Sequence, residues 1–408
     1  MTASASTSGP AAGMTEQALD SRILWLLSLC AFASMASMRI CDAMLPSLAT
    51  AFSATTGQVA KAISAFALAY GVMQLFYGPV GDRYGKARVV GFATLACTIG
   101  SVAAALSPSL EWLIASRALS GMAAAGIIPL TMAWIGDSVD YETRQEVLAK
   151  LLGATVFGMI CGQWLGGLIT DLAGWRSAFV VLAMTFALSG VLLTRQARRF
   201  PVSHVAVIGG IGPRVLDVLS RPWARTVLVI TCIEGALAFS AIAFIPSYLH
   251  AVFHLTMPVA GAIVALYGIG GFLYSRCARR LLSRLGEPGL ARLGGVCLGF
   301  SFLTVAFAPS WHWALPACLV AGFGFYAFHN TLQTNATQMA PAARGTAVSL
   351  FACVLFLGQS IGVLVAAWAL DRSSAALVFA VAAIGLFLLA GAFASLVARR
   401  RRQQLKGA

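Results

Sequence analysis

Charge is scarce in this chain. Of its 408 residues only 10% are Asp, Glu, Lys or Arg, while 59% are hydrophobic. A soluble domain carries about 25% charged residues. So few charges cannot cover the surface of a soluble globule, although the length alone would suggest two or three such domains. Acids are scarcer than bases, 14 against 28. Metal-ligand spacing is missing, and so is any nucleophile–base arrangement. The nine cysteines are Cys30, Cys41, Cys97, Cys161, Cys232, Cys277, Cys297, Cys318 and Cys353; they form no Cys-x-x-Cys pair and nearly all sit inside apolar runs. They read as small packing residues, not as a disulfide or metal framework. Glycine-containing stretches near Gly209 and Gly268 lack the strand–turn–helix context of a phosphate loop. The chain is therefore expected to be no enzyme and to carry no cofactor and no metal.

What the chain has is long apolar runs. A spanning helix needs about 20 predominantly apolar residues, and twelve stretches qualify: 23–48, 59–80, 88–107, 112–134, 151–172, 177–194, 226–249, 259–278, 291–308, 313–337, 345–369 and 374–397. The first twenty residues lack the basic region of a signal peptide, and the first run is too long for a signal core, so it reads as a retained membrane helix. The net charge of +14 falls in short clusters between the runs. That distribution is a topology signal, not a nucleic-acid footprint. With a cytoplasmic N-terminus, 23 of the 28 Lys and Arg lie inside; Arg39, Lys61, Arg117, Arg176 and Arg372 are the other five. The expectation is an all-α, multi-pass inner-membrane protein with both termini cytoplasmic. A flexible tail (1–22) precedes a six-helix bundle (23–194), a cytoplasmic linker (195–225), a second six-helix bundle (226–397) and a basic tail (398–408).

The two bundles repeat one another. Residues 46–65 align without a gap on 246–265, with Pro46-Ser47 on Pro246-Ser247 and Val59, Ala60, Ala62 and Ile63 on Val259, Ala260, Ala262 and Ile263. Gly162-Gln163-x-x-Gly166 matches Gly358-Gln359-x-x-Gly362, and the same offset places Arg176-Ser177 on Arg372-Ser373. Parallel six-helix repeats, related by an axis along the membrane normal, are the architecture of a rocking two-bundle transporter with its site near the midplane.

Between the second and third runs lies Gly78-Pro79-Val80-Gly81-Asp82-Arg83-Tyr84-Gly85-Lys86-Ala87-Arg88. Its glycines permit a tight turn. Asp82 is an acid among bases, placed to pair with a neighbouring arginine or a helix N-terminus. This segment resembles the helix 2–3 signature of the major facilitator superfamily. The second-half counterpart, Ser283-Arg284-Leu285-Gly286, keeps only the arginine and glycine. The resemblance implies a twelve-helix transporter of two pseudo-symmetric bundles, with this loop as a cytoplasmic gate latch. Three segments are similar to motifs of the drug–proton antiporter branch: Arg117-x-x-Ser120-Gly121, with Ser where Gln is usual; Gly158-x-x-x-Gly162-Gln163-x-x-Gly166-Gly167, with Gln163 where Pro is usual; and Asp42-x-x-x-Pro46. Gly174-Trp175-Arg176 followed by Phe179 is similar to that branch as well. The lost proline weakens the antiport implication, because glycines alone let helices approach closely.

Ionisable residues inside membrane spans are costly and are functional candidates. Glu234 lies about two turns into the seventh run and is a candidate to load and release a proton. Arg39 and Asp42 are spaced for an intrahelical ion pair near the outer mouth and are further candidates for proton coupling or substrate contact. By resemblance Arg117 takes part in proton transfer; by chemistry alone it is equally a positive centre holding Asp42 or helix carbonyls. In the tenth run Tyr326, His329, Asn330 and Gln333 share one face by helical spacing, which makes them candidates for the cavity lining. Gln74, Gln163 and Gln359 are weaker candidates. The expected activity is proton-coupled efflux of small, largely apolar molecules by alternating access, as a monomer whose partners are solute, protons and lipid. The alternative is a proton symporter importing a small polar or anionic solute. A membrane sensor or a membrane-embedded enzyme would need an added soluble domain or clustered His, Asp or Ser, and neither occurs.

Overall fold

The computed structural model describes residues 10–139, 141–198 and 211–407. Part of the expected N-terminal tail (1–9) and of the linker (199–210) lies outside the described residues. Fourteen α-helices cover the described chain, with no strand among its residues: α1 (Pro10–Arg39), α2 (Leu45–Ala51), α3 (Thr56–Tyr84), α4 (Lys86–Ala105), α5 (Leu110–Ala124), α6 (Ile127–Ser138), α7 (Tyr141–Ala173), α8 (Trp175–Ala197), α9 (Ile211–Ser220), α10 (Pro222–Phe253), α11 (Met257–Phe307), α12 (Ala314–Gln338), α13 (Arg344–Leu370) and α14 (Ala375–Gly407). Helix α1 starts at Pro10, earlier than the apolar run that begins at 23.

These helices make twelve spans. Ten are long and apolar enough to cross a membrane. One of the ten, α11, has 51 residues, about 76 Å of helix against a hydrocarbon core of about 30 Å. It is two spans joined at Gly286, whose φ of 63° and ψ of 177° interrupt the helix. The twelfth is α12, whose 25 residues suffice to cross; its polar side chains keep it out of the apolar ten.

Two of the spans are broken. The first divides into α1 and α2 around a turn at 40–44, where Pro46 sits in the first turn of α2. Proline has no N–H to donate and its ring crowds the carbonyl four residues earlier. The fourth divides into α5 and α6 at Ala125–Gly126. There Tyr77 of α3 donates its hydroxyl to the carbonyls of Met122 and Ala123, each at 3.1 Å, so the groups released by the break are satisfied. A side chain at Gly126 would overlap the Tyr77 ring.

Within each half, glycines bring backbones together. A Cβ on Gly158 or Gly162 of α7 would collide with the carbonyls of Phe32 or Ala36 in α1; a Cβ on Gly358 or Gly362 of α13 would collide with those of Cys232 or Ala236 in α10. Each contact of the second half lies 200 positions after its counterpart. That is the offset of the Pro46/Pro246 repeat. It corrects by one helical turn the register inferred from the Gly-Gln motifs, which pairs Gly162 with Gly358.

Across the halves, α3 packs on α13 and α7 on α11. At the end of the bundle away from the chain termini, Gly57 meets Ala367 and Asp371, and Gly167 meets Met257. Midway, Gly71 meets Cys353 and Phe356, and Gly268 meets Ile160. Toward the end that carries the termini the halves part. Gly78 has no neighbour within 4 Å of where a Cβ would sit, and a cavity of about 610 Å³ opens between α7 and α11. The molecule is closed at the distal end and open at the terminal end.

Candidate functional site

The buried ionisable groups gather where the broken first span meets α10 and α12. Glu234 of α10 is fully buried, and its Oε2 lies 2.9 Å from His329 Nδ1 of α12. Its Oε1 has no hydrogen-bond partner. The His329 ring lies parallel to Phe325, one turn earlier on α12, with centroids 5.0 Å apart, and 5.2 Å from Phe351 of α13. Next to Glu234, Gly235 lets α10 approach the Leu355 carbonyl of α13. The carboxyl is thus enclosed by helix backbone on one side and an imidazole on the other.

The second group lies at the break in the first span. Arg39 ends α1, and its guanidinium is 3.3 Å from Asp42 in the turn that follows. The pair has the expected spacing but straddles a break and does not lie on a continuous helix. Asp42 is completely buried, with Oδ1 unpartnered and Gln163 of α7 beside it. Arg39 also stacks over the Phe239 ring of α10 at 4.6 Å, and Phe239 lies 5.3 Å from Phe325. An unbroken line of contacts therefore runs from Asp42 through Arg39, Phe239, Phe325 and His329 to Glu234, crossing from one half to the other.

Arg117 forms a third centre. It donates to Ser37 Oγ at 3.2 Å and to the Ser37 carbonyl at 2.8 Å, and it stacks over Phe66 at 4.3 Å. The helix-carbonyl arrangement is the one present. Ser37 is two residues before Arg39, so Arg117 braces the helix end that carries the ion pair. Close by, Gly121 admits α5 to the Phe66 carbonyl.

The four polar residues of α12 do not share one environment. His329 turns to α10. Tyr326 packs on Gly271 of α11 and lines the cavity. Asn330 donates to the Tyr274 hydroxyl at 3.2 Å, and Gln333 is exposed. Asn335, two residues beyond Gln333, donates to Glu287 at 3.3 Å. Gln74, Gln163 and Gln359 are all buried, on α3, α7 and α13. The cavity wall is mostly apolar: Leu152, Val156, Phe157 and Ile160 face Ile269 and Phe272, with Ser275, Tyr326 and Arg276 as its polar side chains. Arg39 and Arg117 are buried and do not reach it.

In the turn between α3 and α4, Gly85 takes a φ of 90°. Asp82 is 3.1 Å from Lys86, which also holds Asp137 at the end of α6. Arg83 stacks on Tyr84, and Arg88 reaches the carbonyls of Ala197 and Arg198. Asp82 thus pairs with a lysine of its own half. Of the α7 motif, Gly158 and Gly162 face α1 and Gly166 faces Ile40 in the turn that follows it, whereas Gly167 faces the other half at Met257. Phe239, Phe325 and Phe351 were not anticipated; the spacing of Phe325 four residues before His329 is the one signal for them.

Comparison with known proteins places this arrangement. The sequence profile of the Major Facilitator Superfamily matches residues 27–363. The MFS-type transporter YwfA of Bacillus subtilis is 28% identical over 64% of this chain and 64% of its own length. YceJ of the same organism is 22% identical over 84% of this chain and 88% of its own. MdtD of Escherichia coli, whose name assigns it to multidrug resistance, is 26% identical over 56% of this chain and half of its own. The chain thus spans less than two thirds of YwfA and of MdtD. Among solved structures, the nucleoside transporter NupG superposes with a TM-score of 0.75 at 16% identity, covering 91% of this chain and 99% of that one. An inward-facing bacterial homologue of the lysosomal transporter Spinster superposes at 0.74 and 17%, covering 93% and 97%. These two likenesses concern the fold. With its profile match, twelve spans and paired bundles, the chain belongs to the Major Facilitator Superfamily, a membrane transporter.

Proposed function

We propose that the protein exports small, largely apolar molecules in exchange for protons, with Glu234 as the coupling carboxyl. The observation that carries this reading is the Glu234–His329 pair: a buried carboxyl with one oxygen on an imidazole and the other unpartnered. A carboxyl so enclosed is costly to keep charged unless its partner carries the opposite charge. Gain or loss of a proton then changes the contact between α10 and α12. The line of contacts through Phe325, Phe239 and Arg39 to Asp42 supplies a physical route by which that change bears on the other half. The mostly apolar wall supports an uncharged or lipophilic solute over an anion: Arg39 and Arg117 are engaged elsewhere, and Arg276, the cation in the wall, stacks over the Phe272 ring at 4.8 Å. The multidrug-resistance name of MdtD agrees with export. The positive-inside bias of the basic residues supports a cytoplasmic terminal end; on that reading the present state is inward-open, the state in which an exporter loads. Tyr326, lining the cavity beside Phe325, is the residue we assign to solute contact.

The test is proton movement in inverted vesicles made acidic inside, with a panel of lipophilic cations, phenicols, sugars and organic acids. One compound class should collapse the gradient with the wild type and not with Glu234→Gln. If no compound moves protons while labelled solute still enters right-side-out cells, the protein is an importer or uniporter and the reading of Glu234 is wrong.

A further inference from the structure

Helices α3 and α13 lie side by side across the divide and run in opposite directions, so each begins where the other ends. At the distal end Asp371, the residue directly after α13, reaches the first turn of α3. Its Oδ2 accepts a hydrogen bond from Thr55 Oγ1 at 2.8 Å, and its Oδ1 accepts one from the Gly57 N–H at 3.3 Å. The first N–H groups of a helix have no partner within the helix and carry partial positive charge, which favours a carboxylate there.

Three further observations mark this as a built contact. Thr55 is the N-cap of α3, and its oxygen already accepts the Gln58 N–H at 3.0 Å, so its own proton is free for Asp371. Gly57 has no side chain to interfere: a Cβ there would overlap the Asp371 carboxylate and come within 2.7 Å of the Ala367 carbonyl. The neighbouring cation is engaged on its own helix, with the Arg372 guanidinium 4.7 Å over the Trp368 ring. The carboxylate is thus held by the start of a helix in the other half, not by a counter-cation.

We infer that Asp371 is the distal latch of the transport cycle, the positioning residue that keeps the two halves together while the terminal end is open. Thr55 and Gly57 belong to one half and Asp371 to the other, so both hydrogen bonds break together when the halves rock. A helix N-terminus releases its carboxylate to water at modest cost, which suits a contact that must open in every cycle. The inference rests on alternating access between two rigid halves and is independent of the solute and of the coupling ion.

The test places spin labels at Leu106 and Phe307. These are exposed positions at the distal ends of α4 and α11, one in each half. The labels go into a background whose native cysteines are replaced and whose fold is retained. Their separation is read by pulsed electron resonance in nanodiscs. Asp371→Asn is isosteric and removes the charge; Gly57→Ala expels the carboxylate sterically. Each should raise the ratio of distal-open to distal-closed molecules about five- to tenfold, and Arg372→Gln should leave the ratio unchanged. A purely structural role would instead lower thermal stability with no change in the distance distribution. The latch is refuted if Asp371→Asn retains the wild-type distribution, whatever Gly57→Ala does through the Ala367 carbonyl, or if Arg372→Gln shifts it as far. A shifted distribution in a protein that moves no protons would leave the latch standing and remove only the coupling reading.

Discussion

If Glu234 and His329 are partners, removing them one at a time and together should give strongly non-additive stability. His329→Phe keeps the ring that Phe325 stacks against, but it leaves the buried Glu234 carboxyl with neither oxygen partnered. An orphaned buried polar group costs about 1–3 kcal/mol. Glu234→Leu replaces the carboxyl by a branched aliphatic group and orphans only the imidazole, whose side chain is 15% exposed and partly open to water. The first variant should therefore lose more stability than the second. The double variant joins an aromatic ring to an aliphatic side chain beside Phe351 and should recover most of the loss. Hydrogen bonds inside membrane proteins couple by about 0.6 kcal/mol on average and about 1.7 kcal/mol at most. A pair whose carboxyl is fully buried belongs near the upper end, about 1–1.7 kcal/mol. The assay is reversible unfolding in mixed micelles followed by tryptophan fluorescence, with the coupling taken from the four proteins. Additive losses would refute the reasoning, because the 2.9 Å contact would then carry no energy of its own.

Other substitutions test the remaining contacts. Gly162→Val and Gly362→Val force a side chain into the carbonyls of Ala36 and Ala236; each should cost about 2 kcal/mol or more in the same unfolding assay, whereas Gly153→Ala and Gly391→Ala, with open space at the Cβ, should be near neutral. Tyr77→Phe should lose about 1 kcal/mol, since the carbonyls at the break between α5 and α6 lose their donor. Arg117→Lys keeps the charge but not the two-pronged hold on Ser37, and should lower solute transport at least tenfold while expression and Glu234-dependent stability coupling persist. Glu146→Gln removes an exposed pair with Lys150 and should leave the unfolding midpoint unmoved.

The twelve spans were legible because a bilayer imposes a length and a composition that no soluble helix needs. The basic clusters and the repeat around Pro46 and Pro246 were legible for equally local reasons. The register of the second repeat was misread by one turn. Glycines spaced four apart present the same pattern after a one-turn slip, and the Gly-Gln identity in α7 and α13 pulled the alignment to the wrong copy. In the site, Glu234 and His329 each stood out as polar residues in apolar runs. Their pairing did not, because they lie 95 positions apart and no local pattern joins them. The shared face of Tyr326, His329, Asn330 and Gln333 was correct as helical geometry. A helix inside a bundle has neighbours on both edges of such a face, so His329 meets α10 while Asn330 meets α11. Asp371 was overlooked because nothing near it in sequence signals that α3 begins beside it.

Helix α12 has a consequence for how the chain is made. Its polar side chains, Tyr326, His329, Asn330, Gln333 and Asn335, leave it less apolar than the ten helices that qualify for a membrane by composition. Its own drive to enter the bilayer is therefore weaker than theirs. Its neighbour offers the remedy: Gly294 of α11 and Gly324 of α12 bring the two backbones together, and few residues separate them in the chain. The second span of α11 and α12 suit entry into the bilayer as one hairpin, with the polar face of the later helix shielded by the earlier one. The polar side chains of one helix thus bear on the moment of synthesis, when the helix that precedes it is already at hand to shield them.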